Sequence, residues 1–165
     1  MIDIAGGDLV KGGNVLGLGS PMAVALAARG FARCRLGRPG WRKDFDQATE
    51  LSKKVDPLSR AIVVTYKYSH AIPICAVQVG DDAVREIDEA AKMAEQLSDD
   101  IAVGMTASTL GVTLVHRDSR SDIERGLRVL ARVADMCQHE RFYSSELPWS
   151  ICTRHGRAPN SEMST

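Results

Sequence analysis

Between residues 20 and 147 the chain alternates apolar stripes with short polar breaks. The stripes recur at steps of three and four, which marks amphipathic helices. Phe45, Ala48, Leu51 and Val55 share one face over 41–55. Val84, Ile87, Ala91, Ala94 and Leu97 do so over 82–97, and Ile123, Leu127, Leu130, Ala134 and Cys137 over 121–139. The breaks carry start and stop chemistry. Ser20-Pro21 opens a helix over 20–36, with serine as cap and proline at the first helical position. Gly37-Arg38-Pro39-Gly40 closes it. Asp56-Pro57 precedes a third helix over 58–79, which Pro73 kinks or shortens. Gly80-Asp81-Asp82 and Ser98-Asp99-Asp100 each end one helix and start the next, with Asp as cap. A fifth helix follows over 101–116, rich in Ala, Gly and Thr. Ser121 and Glu124 form a capping box for the last one. Ala61 to Val64 has strand propensity, but the length of its segment and the lack of hairpin signals favour helix.

These elements make three pairs on a period near forty. Gly30, Ala71 and Gly111 sit at matching points of the first helices, 41 and 40 residues apart. Small residues there allow two helices to approach closely. The expected fold class is all-α: about six helices in stacked antiparallel pairs, a tetratricopeptide-like α-solenoid rather than a closed bundle. The period exceeds the roughly 34 residues of a tetratricopeptide unit but suits helical solenoids. Three pairs meet the rough minimum for a stable stack. Residues 1–19 form a glycine-rich N-terminal segment, 20–147 the helical-repeat domain, and 148–165 a tail without hydrophobic period, read as disordered.

Composition narrows the function classes. Lys+Arg and Asp+Glu are 21 each among 165 residues, so the phosphate-neutralising excess of a general nucleic-acid binder is missing. Hydrophobic residues make up 44%, too many for a wholly disordered chain. No apolar run reaches the roughly 18 residues of a membrane span. Cys34, Cys75, Cys137 and Cys152 form no CxxC pair, which gives a zinc site little support. The first three lie among apolar helical residues, where buried reduced thiols are the default. The opening MIDIAGGDLV lacks a basic stretch leading into an apolar one, so no signal peptide is expected and the cytoplasm is the expected compartment.

Catalytic motifs fail on inspection. Gly12 to Gly17 begins a phosphate loop, but Leu18-Gly19-Ser20 supplies no lysine. Gly17 and Gly19 before a helix suggest a dinucleotide fingerprint, yet Met22 stands at the third glycine position. His116-Arg117-Asp118-Ser119 holds triad residue types as loop neighbours, without the nested geometry a triad needs. Cys75 and His70, five apart, would be the nucleophile and base of an enzyme, on a helix that Pro73 disturbs. Two groups suit recognition better. Arg38, Trp41 and Arg42 bracket the first inter-helix turn, where tryptophan flanked by arginine suits a contact hot spot or a structural staple. Tyr66 and His70, four apart on one helix, together with Arg29, offer a ligand surface or a packed aromatic patch.

Three strings carry a resemblance: Gly19-Ser20-Pro21-Met22-Ala23-Val24-Ala25-Leu26-Ala27, Leu36-Gly37-Arg38-Pro39-Gly40-Trp41-Arg42 and Gly111-Val112-Thr113-Leu114-Val115-His116-Arg117-Asp118. Together with Arg141-Phe142-Tyr143 and Glu146-Leu147-Pro148 they resemble the C-terminal helical region of actinobacterial, especially mycobacterial, multidomain regulators. Those regulators join a class III adenylate/guanylate cyclase domain to an ATPase module and a tetratricopeptide-like array. The resemblance covers about residues 2–148 and rests on scaffold motifs. The metal-binding aspartates of a cyclase and the Walker loop of an ATPase are missing, so no catalytic residue, metal or cofactor carries over.

The resemblance implies a non-catalytic interaction module, possessing partners among proteins or the remaining domains of a larger signalling regulator, and open to self-association through its ends. The loss of patterning after Pro148 adds the expectation of a truncated fragment. The alternative is a small-ligand sensor binding an effector between helices near Arg29, Tyr66 and His70.

Overall fold

The structure, a computed structural model, describes residues 19–53, 55–74 and 76–140. The glycine-rich segment, apart from Gly19, and the tail lie outside the described residues, as do Cys75, Cys152 and the resemblance strings beyond residue 140. The described residues are all-helical. Six α-helices follow in order: α1 (Pro21–Arg35), α2 (Trp41–Ser52), α3 (Pro57–Val64), α4 (Asp81–Gln96), α5 (Asp100–Val115) and α6 (Arg120–Glu140). A π-helical turn, Thr65–Ser69, extends α3.

Capping explains most boundaries. Ser20 Oγ accepts the Ala23 amide at 3.2 Å, Asp56 Oδ1 that of Ser59 at 2.8 Å, and Asp99 Oδ1 that of Ala102 at 3.0 Å. Each satisfies an amide that the first helical turn leaves open. Gly37 and Gly40 have φ of 63° and 90°, a conformation that side chains with a Cβ resist, and they turn the chain from α1 into α2.

Four boundaries differ from expectation. The second helix stops at Ser52 rather than Val55. The third does not run to 79: it widens into the π turn at Thr65, and Pro73 falls in the turns beyond. The cap of α4 is Gly80, without a side-chain bond, while Asp81 and Asp82 occupy the first turn, where their charge suits the helix N-terminus. The last helix starts at Arg120, one residue early, and Ser119 rather than Ser121 faces the open amide, that of Asp122, at 3.4 Å.

α3 is the hub of the packing. It contacts α1, α2, α4 and α5, and three residues of about one turn feed three apolar clusters. Val63 joins Met22, Ala23, Leu26 and Ala27 of α1 and Ala48 of α2. Val64 joins Tyr68, Ile72 and the α4 residues Ala83, Ile87 and Ala90. Ala61 meets Ala94 and Ala102. A helix buried on several sides has no single apolar stripe, which is why Ala61 to Val64 looks like a strand in sequence. The same holds for α5, packed on α3, the π turn, α4 and α6. Its buried Thr106 and Thr109 return their hydroxyls to carbonyls one turn back, at 2.8 and 2.9 Å. Thr109 also meets Thr65 at 3.0 Å across the α3–α5 contact.

Glycines mark where helices touch most closely. A Cβ on Gly111 would lie 2.7 Å from Leu130 of α6, and one on Gly126 2.9 Å from the Gly111 carbonyl. A Cβ on Gly30 would lie 3.2 Å from the Trp41 carbonyl. Gly30 and Gly111 thus occupy the close approaches expected of them. Ala71 is fully buried but sits in a turn beyond the π segment, not in a helix. Leu97, assigned to the α4 stripe, is 63% exposed because α4 ends before it.

Candidate functional site

The side chains expected to act together are distributed over three places. Arg29 faces α2, where its Nη2 and Nε reach the two Asp44 carboxylate oxygens at 2.6 and 3.1 Å. Arg33 Nη1 adds a third contact at 2.8 Å. The Asp44 side chain is 3% exposed, whereas both arginines are 37% exposed. The clamp is therefore a buried carboxylate lidded by two partly hydrated cations.

Tyr66 and His70 pack against each other edge to face, with centroids 5.4 Å apart. Phe31 completes the cluster at 6.0 Å from Tyr66 and 5.5 Å from His70. Such spacings belong to ordinary aromatic packing. Arg29 makes its ion pair with Asp44, while Tyr66 and His70 make ring contacts with Phe31 and each other.

Arg38 is exposed in the α1–α2 turn. Trp41 starts α2, sets its ring edge-on to Phe45 and carries the Arg42 guanidinium over its face, 4.0 Å from the centroid. Trp41, Arg42 and Phe45 border an open cleft of about 650 Å³ together with Asp46, Lys67 and residues 76–78. Ligand clefts commonly have this size.

Lys67 links that cleft to a polar knot that the sequence reading did not single out. Glu86 of α4 accepts from Lys67 Nζ at 2.8 Å and from Tyr68 Oη at 2.6 Å on one oxygen. Its other oxygen accepts from Thr49 Oγ1 at 3.1 Å and faces Arg60 Nη2 at 3.4 Å. Arg60 is only 2% exposed. Its other terminal nitrogen reaches the Thr49 carbonyl and Ser52 Oγ, both at 3.4 Å. The knot thereby joins α2, α3, the π turn and α4. Widening the helix at Thr65 lets Lys67 and Tyr68 face Glu86 while Tyr66 faces Phe31.

The electrostatics suit holding rather than proton transfer. Burial alone would raise the Glu86 pKa; the Lys67 charge, the hydrogen bonds from Lys67 and Tyr68, and Arg60 outweigh it and hold the carboxyl below its ordinary value. Burial, then the Glu86 charge, push the Tyr68 phenol well above its ordinary value. A pair shifted in these directions is ionised carboxylate and neutral phenol near neutrality, far from the matched values of an acid–base pair. Burial raises the Cys34 thiol against the opposing Arg42 charge, which leaves it in the unreactive form. Cys34 and Cys137 form no disulfide among the described residues and are half-buried rather than fully buried.

The His116–Ser119 string is a connecting turn. His116 Nδ1 lies 2.8 Å from the Val112 carbonyl, and Arg117 bridges Asp81 at 2.5 Å and Asp122 at 2.7 Å. Among the described residues no group of three or more His, Cys, Asp or Glu is placed to hold a metal ion. None of the described helices is long and apolar enough to cross a membrane. Comparison with protein-family models, with curated proteins and with solved structures returns no match.

Proposed function

We propose that the chain is a non-catalytic helical-repeat interaction module of a cytoplasmic signalling regulator of the cyclase–ATPase kind, with Arg38, Trp41 and Arg42 on its partner-binding face. The observation that carries this reading is the order of helix contacts. α1, α3 and α5 touch in succession, and α2, α4 and α6 each pack on the odd-numbered helix before them. Stacks of helix pairs have this order, and it favours the tetratricopeptide-like arrangement. The carboxylates of Asp44 and Glu86 fasten helices together, while Trp41 and Arg42 remain at the cleft. A rigid aromatic beside an arginine is the chemistry of a binding hot spot.

The test is calorimetric titration of the chain with separately purified cyclase and ATPase domains of the regulators it resembles. Binding to either, weakened at least about tenfold by Trp41→Ala or Arg42→Glu, is the expected result. Absence of binding to both ends the proposal.

A second reading, the small-ligand sensor, has its own observation. The 650 Å³ cleft combines Trp41, Phe45, Arg42 and Lys67, which supports an effector site there beside the one near Tyr66 and His70. A thermal-shift screen with nucleotides and metabolites, read together with Trp41 fluorescence, separates the two. A ligand that raises the melting temperature and changes Trp41 emission favours the sensor.

A further inference from the structure

A second groove, about 460 Å³, runs along α5 between α4 and α6, on residues that the function proposed above does not use. Its floor is apolar: Val103, Ala107 and Leu110 of α5, with Val129, Val133 and Met136 of α6 beside them. The two walls differ in charge. α4 contributes Asp88 and Glu95, with Lys92 between them, and α6 contributes Arg125 and Arg132. None of Asp88, Glu95, Arg125 and Arg132 forms an ion pair with another described residue. The groove therefore presents two acids and three bases along an apolar strip, and among the described residues Asp88, Glu95, Arg125 and Arg132 have no ion-pair partner.

The spacing is the second observation. Asp88 and Glu95 are seven residues apart, and so are Arg125 and Arg132. Short turns connect α4 to α5 and α5 to α6, so α4 and α6 both run against α5 and thus alongside each other. Seven residues of helix rise about 10.5 Å on either wall. Asp88 and Arg125 lie toward the Leu110 end, since Ile87 and Ala90 pack with Leu110 and Gly126 abuts Gly111. Glu95 lies toward the other end, near the Ala94–Ala102 contact. Leu97 and Ile101, 63% and 36% exposed, flank the turn at that end and add apolar surface.

We infer that this groove is a self-association surface whose occupant is a second copy of the chain. A two-fold contact sets one patch on itself, so a patch of one sign repels its copy. Here α4 carries two acids around Lys92 and α6 carries two bases, so one wall is net acidic and the other net basic. A two-fold axis along the groove places α4 of each copy over α6 of the other, at matched height. Asp88 then faces the second copy's Arg125, and Glu95 faces its Arg132, with the apolar strips closed between them. Parallel helices fix their partners with charges at this seven-residue step. This surface is distinct from the ends of the helix stack, and its test does not depend on the partner-binding face at Trp41.

Sedimentation velocity on the full chain, from micromolar to hundreds of micromolar, reads the outcome. The wild type is expected to shift from monomer to dimer with concentration, less so at high salt. Arg125→Glu with Arg132→Glu should weaken the dimer at least about tenfold. Glu95→Lys, alone and with Asp88→Lys, should do the same, with unchanged helical circular dichroism confirming that each variant is folded. Mixing the two reversed variants should restore a dimer, which native mass spectrometry would identify as one copy of each. A wild type that stays monomeric overturns the inference. So does a dimer indifferent to both reversals, or a loss that mixing does not rescue.

Discussion

Two carboxylates, Asp44 buried and Glu86 half-buried, hold this molecule, and they do so differently. Asp44 joins α1 to α2 through Arg29 and Arg33, which come from one helix, four residues apart. Glu86 joins α2, α3, the π turn and α4 through Thr49, Arg60, Lys67 and Tyr68. The Asp44 cations keep 37% of their surface in water; Arg60 keeps 2%. The first clamp is a local device between neighbours, and its loss returns its arginines to solvent. The second ties four segments together and leaves Arg60 no such exit. Burial of the partner, more than burial of the carboxylate, decides what each site is worth.

The largest separation between the two comes from deleting each acid. Glu86→Ala leaves Arg60 buried without a counter-charge and strips half-buried Lys67 of its own, and is expected to cost about 3–5 kcal/mol in chemical denaturation. Asp44→Asn keeps the shape beside Gly30, whose Cβ position lies 3.2 Å from the Asp44 Cβ. It should cost about 1–2 kcal/mol, because Arg29 and Arg33 rehydrate. Equal losses, or a larger one at Asp44, would break the comparison.

Acid offers a gentler probe of the same knot. The Glu86 carboxyl titrates in the folded chain below its ordinary value of 4.5. A carboxyl lowered by folding contributes stability above its unfolded value and loses that contribution as pH falls through the folded one. Stability should therefore decline from about pH 4.5 downward, with each unit of separation between the two values worth about 1.4 kcal/mol. In Glu86→Gln this part of the decline should vanish. Unfolding curves from pH 7 to pH 3 check it, and equal slopes in the two proteins would assign the acid loss to other carboxylates.

The contrast also explains what was legible beforehand. Helices with one exposed side, such as α2 and α6, stood out through three- and four-residue stripes, and Ser20, Asp56 and Asp99 marked real starts. The close approaches at Gly30 and Gly111 followed from register. α3 was legible only as a long apolar stretch, because burial against four helices removes periodicity. The π turn has no pattern of its own; it shows only when Lys67 and Tyr68 are seen to share Glu86. Glu86 itself sits next to the buried Ile87, and its partners come from 18 to 37 residues away, a distance over which charge spacing carries no signal. Trp41 and Arg42 were legible through residue type and turn position, whereas Arg29 was read without its acid on α2.

Salt supplies the smallest and most selective probe. A double-mutant cycle on Arg33 and Asp44 measures a coupling that passes partly through solvent, since Arg33 is 37% exposed. Its value should be about 0.5–1 kcal/mol at low salt. At about 1 M salt the screening length falls to about 3 Å, and the coupling should drop by half or more. The matching cycle on Lys67 and Glu86 joins side chains only 17% and 15% exposed, at 2.8 Å. These side chains are less exposed than Arg33, so that coupling should change by less than about a quarter over the same range. Both cycles use the same chain, temperature and denaturant, so the difference isolates solvent access. Equal salt dependence would mean that water reaches the Glu86 knot as freely as the Asp44 clamp, and that the knot opens as a unit before the helices separate.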